Sequence, residues 1–133
     1  MNERIIDVAL HEGLRAEATN GSHVLVFDEP VEDGGTDAGM TPVQAFLASL
    51  GACAVITMRL YAQRKEWDLK DAKVRVRLVR PERGSKEPPK LTQTIEIEGD
   101  LDEEQRERLR VIAGRCPVHR LVDSPLETEE ILA

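Results

Sequence analysis

Short apolar runs and period-two alternation open the chain, the spacing of strands with one covered face. Residues 4–10 hold Ile5, Ile6, Val8 and Leu10. Residues 14–18 set Leu14, Ala16 and Ala18 against Arg15 and Glu17. Thr19-Asn20-Gly21-Ser22 then reads as a turn, because Asn-Gly is a strong hairpin signal, and H-V-L-V-F at 23–27 returns. These segments predict a three-stranded antiparallel meander, with a loop rich in Gly, Asp and Glu over 28–39. A second β unit follows later. Over 69–80, Ala72, Val74, Val76 and Leu78 alternate with Lys73, Arg75 and Arg77. Residues 81–89 form a polar hairpin loop. Over 90–98, Leu91, Ile95 and Ile97 alternate with Thr92, Thr94, Glu96 and Glu98.

Between the two β units the apolar period lengthens to three and four. Residues 40–65 predict a long helix, with Thr41 as N-cap and Pro42 at the first helical position. Phe46, Leu50, Cys53, Thr57 and Leu60 form one stripe, and from Val43 to Ile56 the segment is apolar almost all round. Such a helix is expected to be buried on most sides. A second helix, 103–113, is announced by Asp102 with Gln105 three residues on, and Gly114 stops it. Pro117 starts a third, short helix reaching Val122, with Cys116 as its N-cap. Residues 126–132 predict a closing strand. The order is β-β-β-α-β-β-α-α-β, an α+β arrangement.

Composition narrows the function. A length of 133 residues predicts one domain, 1–133, with a core that needs no disulfide staples. The 25 acidic against 18 basic residues give a formal charge of −7, and no basic stretch carries interleaved aromatics, which argues against nucleic acid. The N-terminus lacks the charged and apolar regions of a signal peptide. The uncharged run 38–58 contains Pro, Gln, Ser, Gly and Thr, so a buried soluble helix is expected rather than a membrane span. Two cysteines without an export signal predict reduced thiols in the cytoplasm.

The thiols sit in different surroundings. Cys53 lies among Gly51, Ala52, Ala54 and Val55, where nothing local stabilises a thiolate; locally it reads as a core cysteine. Cys116 lies at a helix N-terminus beside Arg115, His119 and Arg120, features that lower a thiol pKa. It reads either as a reactive thiolate or as an ordinary N-cap. Cys116-Pro-Val-His119 lacks the second Cys/His pair of a zinc site, and His11 and His23 are isolated, so no metal is expected. There is no Gly-rich phosphate loop, no G-x-S-x-G, and no motif calling for a cofactor.

T-P-V-Q-A-F-L-A-S-L-G-A-C, then G-R-C-P-V-H, then the closing E-E-I-L resemble the OsmC/Ohr family, osmotically induced protein C and organic hydroperoxide resistance protein. The order of elements is similar along nearly the whole chain, closest to the general OsmC-like branch. The resemblance implies an OsmC-like fold, a long central helix between two antiparallel β units, in an intertwined homodimer. It implies a thiol peroxidase acting on an organic hydroperoxide or other small hydrophobic substrate. Cys53 would be the nucleophile and Cys116 the resolving thiol, with a dithiol as reductant. The family's peroxidases carry a Glu after the Pro that opens the long helix; this chain has Val43 there, then Gln44. Their activating Arg aligns near Glu12, with Arg15 the nearest cation. The resemblance thus gives Arg15 as activator and Gln44 as a polar contact in the pocket. The alternative it leaves is a small-molecule-binding or redox-sensing dimer that keeps the fold without efficient peroxidase turnover.

Overall fold

The computed structural model describes residues 3–133. The fold is α+β, with two antiparallel sheets and, among the described residues, three α-helices. The chain divides into two compact units, residues 1–46 and 47–133.

The first unit is the expected meander: β1 (Asp7–Leu10), β2 (Ala16–Thr19) and β3 (Val24–Phe27), hydrogen-bonded in that order. β1 starts three residues later than its apolar run. Its register pairs Asp7 with Thr19, the last residue of β2, so the partner's length sets where the strand begins. Asn20 and Gly21 make the turn to β3. Gly21 has φ 97°, and the Asn20 carboxamide oxygen accepts from the Ser22 and His23 amides at 2.9 and 2.8 Å.

The acidic loop after β3 is ordered around one carboxylate. Asp28 is buried, and its two oxygens accept from the amides of Glu29 (2.8 Å), Thr36 (3.2 Å) and Ala38 (3.1 Å) and the Thr36 hydroxyl (2.6 Å). Gly35 makes the wrap possible: a Cβ there would lie 2.0 Å from the Glu29 carbonyl oxygen and 2.8 Å from an Asp28 oxygen.

α1 (Pro42–Lys65) begins in the first unit and continues in the second. Its start is closed reciprocally. The Thr41 hydroxyl accepts from the Gln44 amide (3.2 Å), and the Gln44 side-chain oxygen accepts from the Thr41 amide (3.0 Å). The Trp67 amide donates to Ala62 and the Glu66 amide to Gln63 across Glu66, which sits at φ 57°, a Schellman ending without glycine.

The expected burial of α1 is corrected here. The residues it buries are Leu50, Gly51, Ala54, Met58 and Ala62. Val43, Phe46, Ile56 and Leu60 are exposed at 41–58%. The packed stripe sets Leu50 and Met58 among the small residues Gly51, Ala54 and Ala62, and at Gly51 the missing side chain lets the helix backbone approach β4. A Cβ on Gly51 would lie 3.0 Å from Val76 Cγ2. By length and composition α1 could also cross a membrane, a test that core helices of soluble proteins pass as well.

β4 (Asp68–Val79) pairs antiparallel with β5 (Lys90–Asp100), with one register shift between Leu69 and Asp71. Arg59 donates from α1 to the carbonyls of Leu69 and Lys70 at the start of β4. α2 (Glu103–Ala113) opens on the predicted box: Asp102 Oδ1 accepts from the Gln105 amide (2.8 Å), and Gln105 Oε1 accepts from the Asp102 amide (2.9 Å). α3 spans Pro117–Asp123. Ala54, Met58, Ala62, Leu69, Leu109 and Ala113 form the core, so α1, β4 and α2 meet there.

The predicted closing strand is not formed. Residues 126–132 carry no ladder, and Leu126, Ile131 and Leu132 stand exposed. An apolar pattern makes a strand only where a partner edge accepts its hydrogen bonds, and among the described residues this segment has none.

Candidate functional site

α1 carries Cys53 three residues after Leu50 and one before Ala54, next to its packed stripe. The α2–α3 junction carries Cys116. The two side chains lie near each other, close enough for Cys53 to act on the ionisation of Cys116. Both are free thiols, Cys116 fully buried and Cys53 partly so.

Cys116 is the N-cap that the sequence indicates. Its φ and ψ are −67° and 156°, and its sulfur accepts from the His119 amide at 3.4 Å. The helix terminus does not make it a thiolate, however. Burial pushes its pKa above the ordinary thiol value of 9.0, and the nearby Cys53 pushes the same way; the backbone donors of His119 and Val118 offset this only in part. The reactive-thiolate expectation at Cys116 is thereby corrected. A long, weak N–H···S bond stabilises charge less than loss of water destabilises it. Cys116 holds its proton and can donate it toward the Cys53 sulfur.

His119 does more than lend its amide. Its Nδ1 lies 3.4 Å from Gln93 Nε2 on β5, and its Nε2 lies 3.2 Å from Asp123 Oδ2. The tautomer with Nε2–H satisfies both contacts. The ring thus ties α3 to β5 next to the cap on which Cys116 sits. Gln93 Oε1 is buried without a partner. Gln93 escaped the sequence reading although its signal was legible: it interrupts the covered row Leu91, Ile95, Ile97 of β5.

The other two candidates lie in the first unit. Arg15 precedes β2, is half exposed, and donates to Glu17 Oε1 at 3.1 Å; His11 reaches the other Glu17 oxygen at 3.0 Å. Gln44 is engaged in the cap of α1. Val43, beside it, is exposed. No group of three or more His, Cys, Asp or Glu side chains converges among the described residues.

Set beside known proteins, residues 34–130 match the family model described as OsmC-like protein. The chain belongs to the OsmC-like family. Solved structures share the fold. An OsmC-like protein from Mycoplasma pneumoniae superposes with TM-score 0.76 at 23% identity, covering 92% of this chain and 88% of that one. An organic hydroperoxide resistance protein OsmC from Legionella pneumophila gives 0.64 at 24% identity, covering 92% and 90%. The organic hydroperoxide resistance protein OhrB of Bacillus subtilis gives 0.60 at 22%, covering 89% and 90%. No match was found among curated proteins. OsmC-like membership agrees with the order of elements and with the two cysteine motifs, which lie within the matched span.

Proposed function

We propose that this OsmC-like protein reduces organic hydroperoxides in the cytoplasm through Cys53 and Cys116. The observation that carries the proposal is that the fold brings the two free thiols, one on α1 and one at the α2–α3 junction, near each other. The names of the Legionella and Bacillus structures point to the same chemistry. The Cys53 thiolate attacks the terminal peroxide oxygen. The O–O bond breaks, the alkoxide leaves and takes a proton from water, and Cys53 becomes a sulfenic acid. Cys116, which has kept its proton, then condenses with it: the S–S bond forms, and the sulfenic hydroxyl departs with the Cys116 proton as water. A dithiol reductant returns both thiols by exchange. The balance is one hydroperoxide and one dithiol consumed, one alcohol, one water and one disulfide formed.

In this reading Arg15 is the cation assigned to the thiolate, and its ion pair with Glu17 must open for that role. The amide nitrogen of Gln44 is the polar group left for substrate. The working state is a homodimer. Val43, Phe46 and Ile56 on α1 and the unpaired segment 126–132 supply surface that a second copy would cover.

A second reading, a small-molecule-binding or redox-sensing dimer without efficient turnover, is favoured by one observation: Val43 stands where the family's peroxidases have a carboxylate. The rate at which tert-butyl hydroperoxide oxidises the reduced protein separates the two. The peroxidase reading predicts oxidation well above that of a free thiol, lost in Cys53→Ser and slowed in Arg15→Gln. A rate equal to a free thiol's and unchanged in Cys53→Ser would sink it. Oxidation to a disulfide that no dithiol reverses would favour the sensor.

A further inference from the structure

A cleft of about 850 Å³ opens where α1, α2 and α3 approach one another. Four arginines line it: Arg64 from α1, Arg108 from α2, Arg115 from the α2–α3 junction and Arg120 from α3. No Asp or Glu lines it, although the chain has 25 acidic residues against 18 basic ones. None of the four is in an ion pair among the described residues, whereas Arg110, two residues beyond Arg108 on α2, is paired with Glu107. Like charges gathered without counter-charges repel and destabilise the folded state. An acidic chain that gathers them in a concave site has a place for an anion.

The floor of the cleft fixes the rest of the ligand. Leu60, more than half exposed, and Ile112 present apolar surface beside the arginines. Tyr61 anchors the cationic side: Arg108 Nε donates to its hydroxyl at 3.1 Å, and the Arg64 and Arg108 guanidinium carbons lie 5.5 and 5.6 Å from the ring centroid. The Arg108 hydrogen bond, together with the charges of Arg108, Lys65 and Arg64, holds the Tyr61 phenol below its ordinary range against the opposing effect of burial. The volume suits a small molecule. Several guanidinium forks suit a doubly charged oxyanion better than a single carboxylate, because each fork can take two oxygens.

We propose that this cleft binds an amphipathic organic phosphate, with its phosphate held by Arg64, Arg108, Arg115 and Arg120 and its apolar body on Leu60 and Ile112. The site needs no thiol chemistry and stands or falls apart from the peroxidase reading.

Calorimetric titration of the full chain with octyl phosphate, octanoate, inorganic phosphate and octanol tests it. Octyl phosphate should bind saturably at one site per chain, tighter than octanoate and inorganic phosphate and weakening as salt rises; octanol should not bind. Arg64→Gln with Arg120→Gln should weaken octyl phosphate at least about tenfold. The corresponding Lys pair should fall between, since it keeps charge but loses the forks. Arg110→Gln, outside the cleft, should change nothing. Unaltered thermal melting of each variant shows that it is folded. The Cys53→Ser protein should bind as the parent does, which separates this test from that of the peroxidase. Octanoate or octanol binding as tightly as octyl phosphate would overturn the assignment. So would a Gln pair that binds undiminished, or an absence of saturable binding because a second copy of the chain fills the cleft.

Discussion

Asp28 and Cys116 are both buried acids, and they end in opposite states. Asp28 keeps its charge, with its pKa lowered to about 2, chiefly by the Thr36 hydroxyl and then by backbone amides. Cys116 keeps its proton. Burial opposes ionisation at both sites. The difference lies in the donors each receives. Asp28 accepts four hydrogen bonds at 2.6–3.2 Å on compact oxygens. Cys116 offers a large, weakly accepting sulfur to an amide at 3.4 Å and shares its remaining capacity with another thiol. Convergent short donors decide ionisation, not burial or a helix end alone. One loop is thereby organised around a charge, and one helix cap carries a neutral thiol.

Asp28→Ala should have the largest effect. Four donors then lose their acceptor, and the loop from Glu29 to Gly39 has nothing to wrap. It should show the largest drop in Tm of the variants named here, with new proteolytic cleavage inside the loop; Asp28→Asn, which keeps one acceptor oxygen, should fall between. Next come the two pH flanks. The folded pKa of Asp28 is depressed, so its contribution is complete above the ordinary carboxylate value of 3.8 and is lost as pH falls toward about 2. The folded pKa of Cys116 is raised, so its contribution is complete below 9.0 and is lost as pH rises through the folded value. Denaturation followed against pH should lose its acid flank in Asp28→Asn and soften its alkaline flank in Cys116→Ser.

Cys116→Ser sharpens the contrast from the other side. A hydroxyl caps a helix at least as well as a thiol, so Tm should change little. Peroxide should then carry Cys53 past sulfenic acid to sulfinic acid, a gain of two oxygens by mass spectrometry. The smallest effect is expected at Gly51→Ala, where burial is purely steric. The helix gains about 1 kcal/mol in propensity, and the 3.0 Å approach to Val76 takes back a similar amount. Its Tm should stay close to the parent's.

Local rules were legible where one residue type does one job. Asn20-Gly21, the box of Asp102 and Gln105, and the cap at Cys116 all fold as their residues indicate. Features set by distant neighbours were not. The bulk of Phe46 and Leu60 suggested the packed stripe of α1, whereas the buried positions include Gly51, set close to Val76 on β4, and Ala54 in the core. Residues 126–132 have a strand's pattern and no partner edge. Asp28 looked like one acid among several in an acidic loop, because its donors come from as far as Ala38. At the site, the family resemblance singled out Cys53 and Cys116, and the fold brings these two thiols near each other. The protonated state of Cys116 was not foreseen, since it depends on complete burial. The arginine cleft was invisible along the chain, because its members come from three helices and the junction between two of them.

If the two thiols act as one unit, one equivalent of tert-butyl hydroperoxide should leave a single product in peptide maps run without reductant: a Cys53–Cys116 disulfide formed within each chain and cleared by a dithiol. Sulfinic acid at Cys53 with Cys116 still a thiol would contradict it.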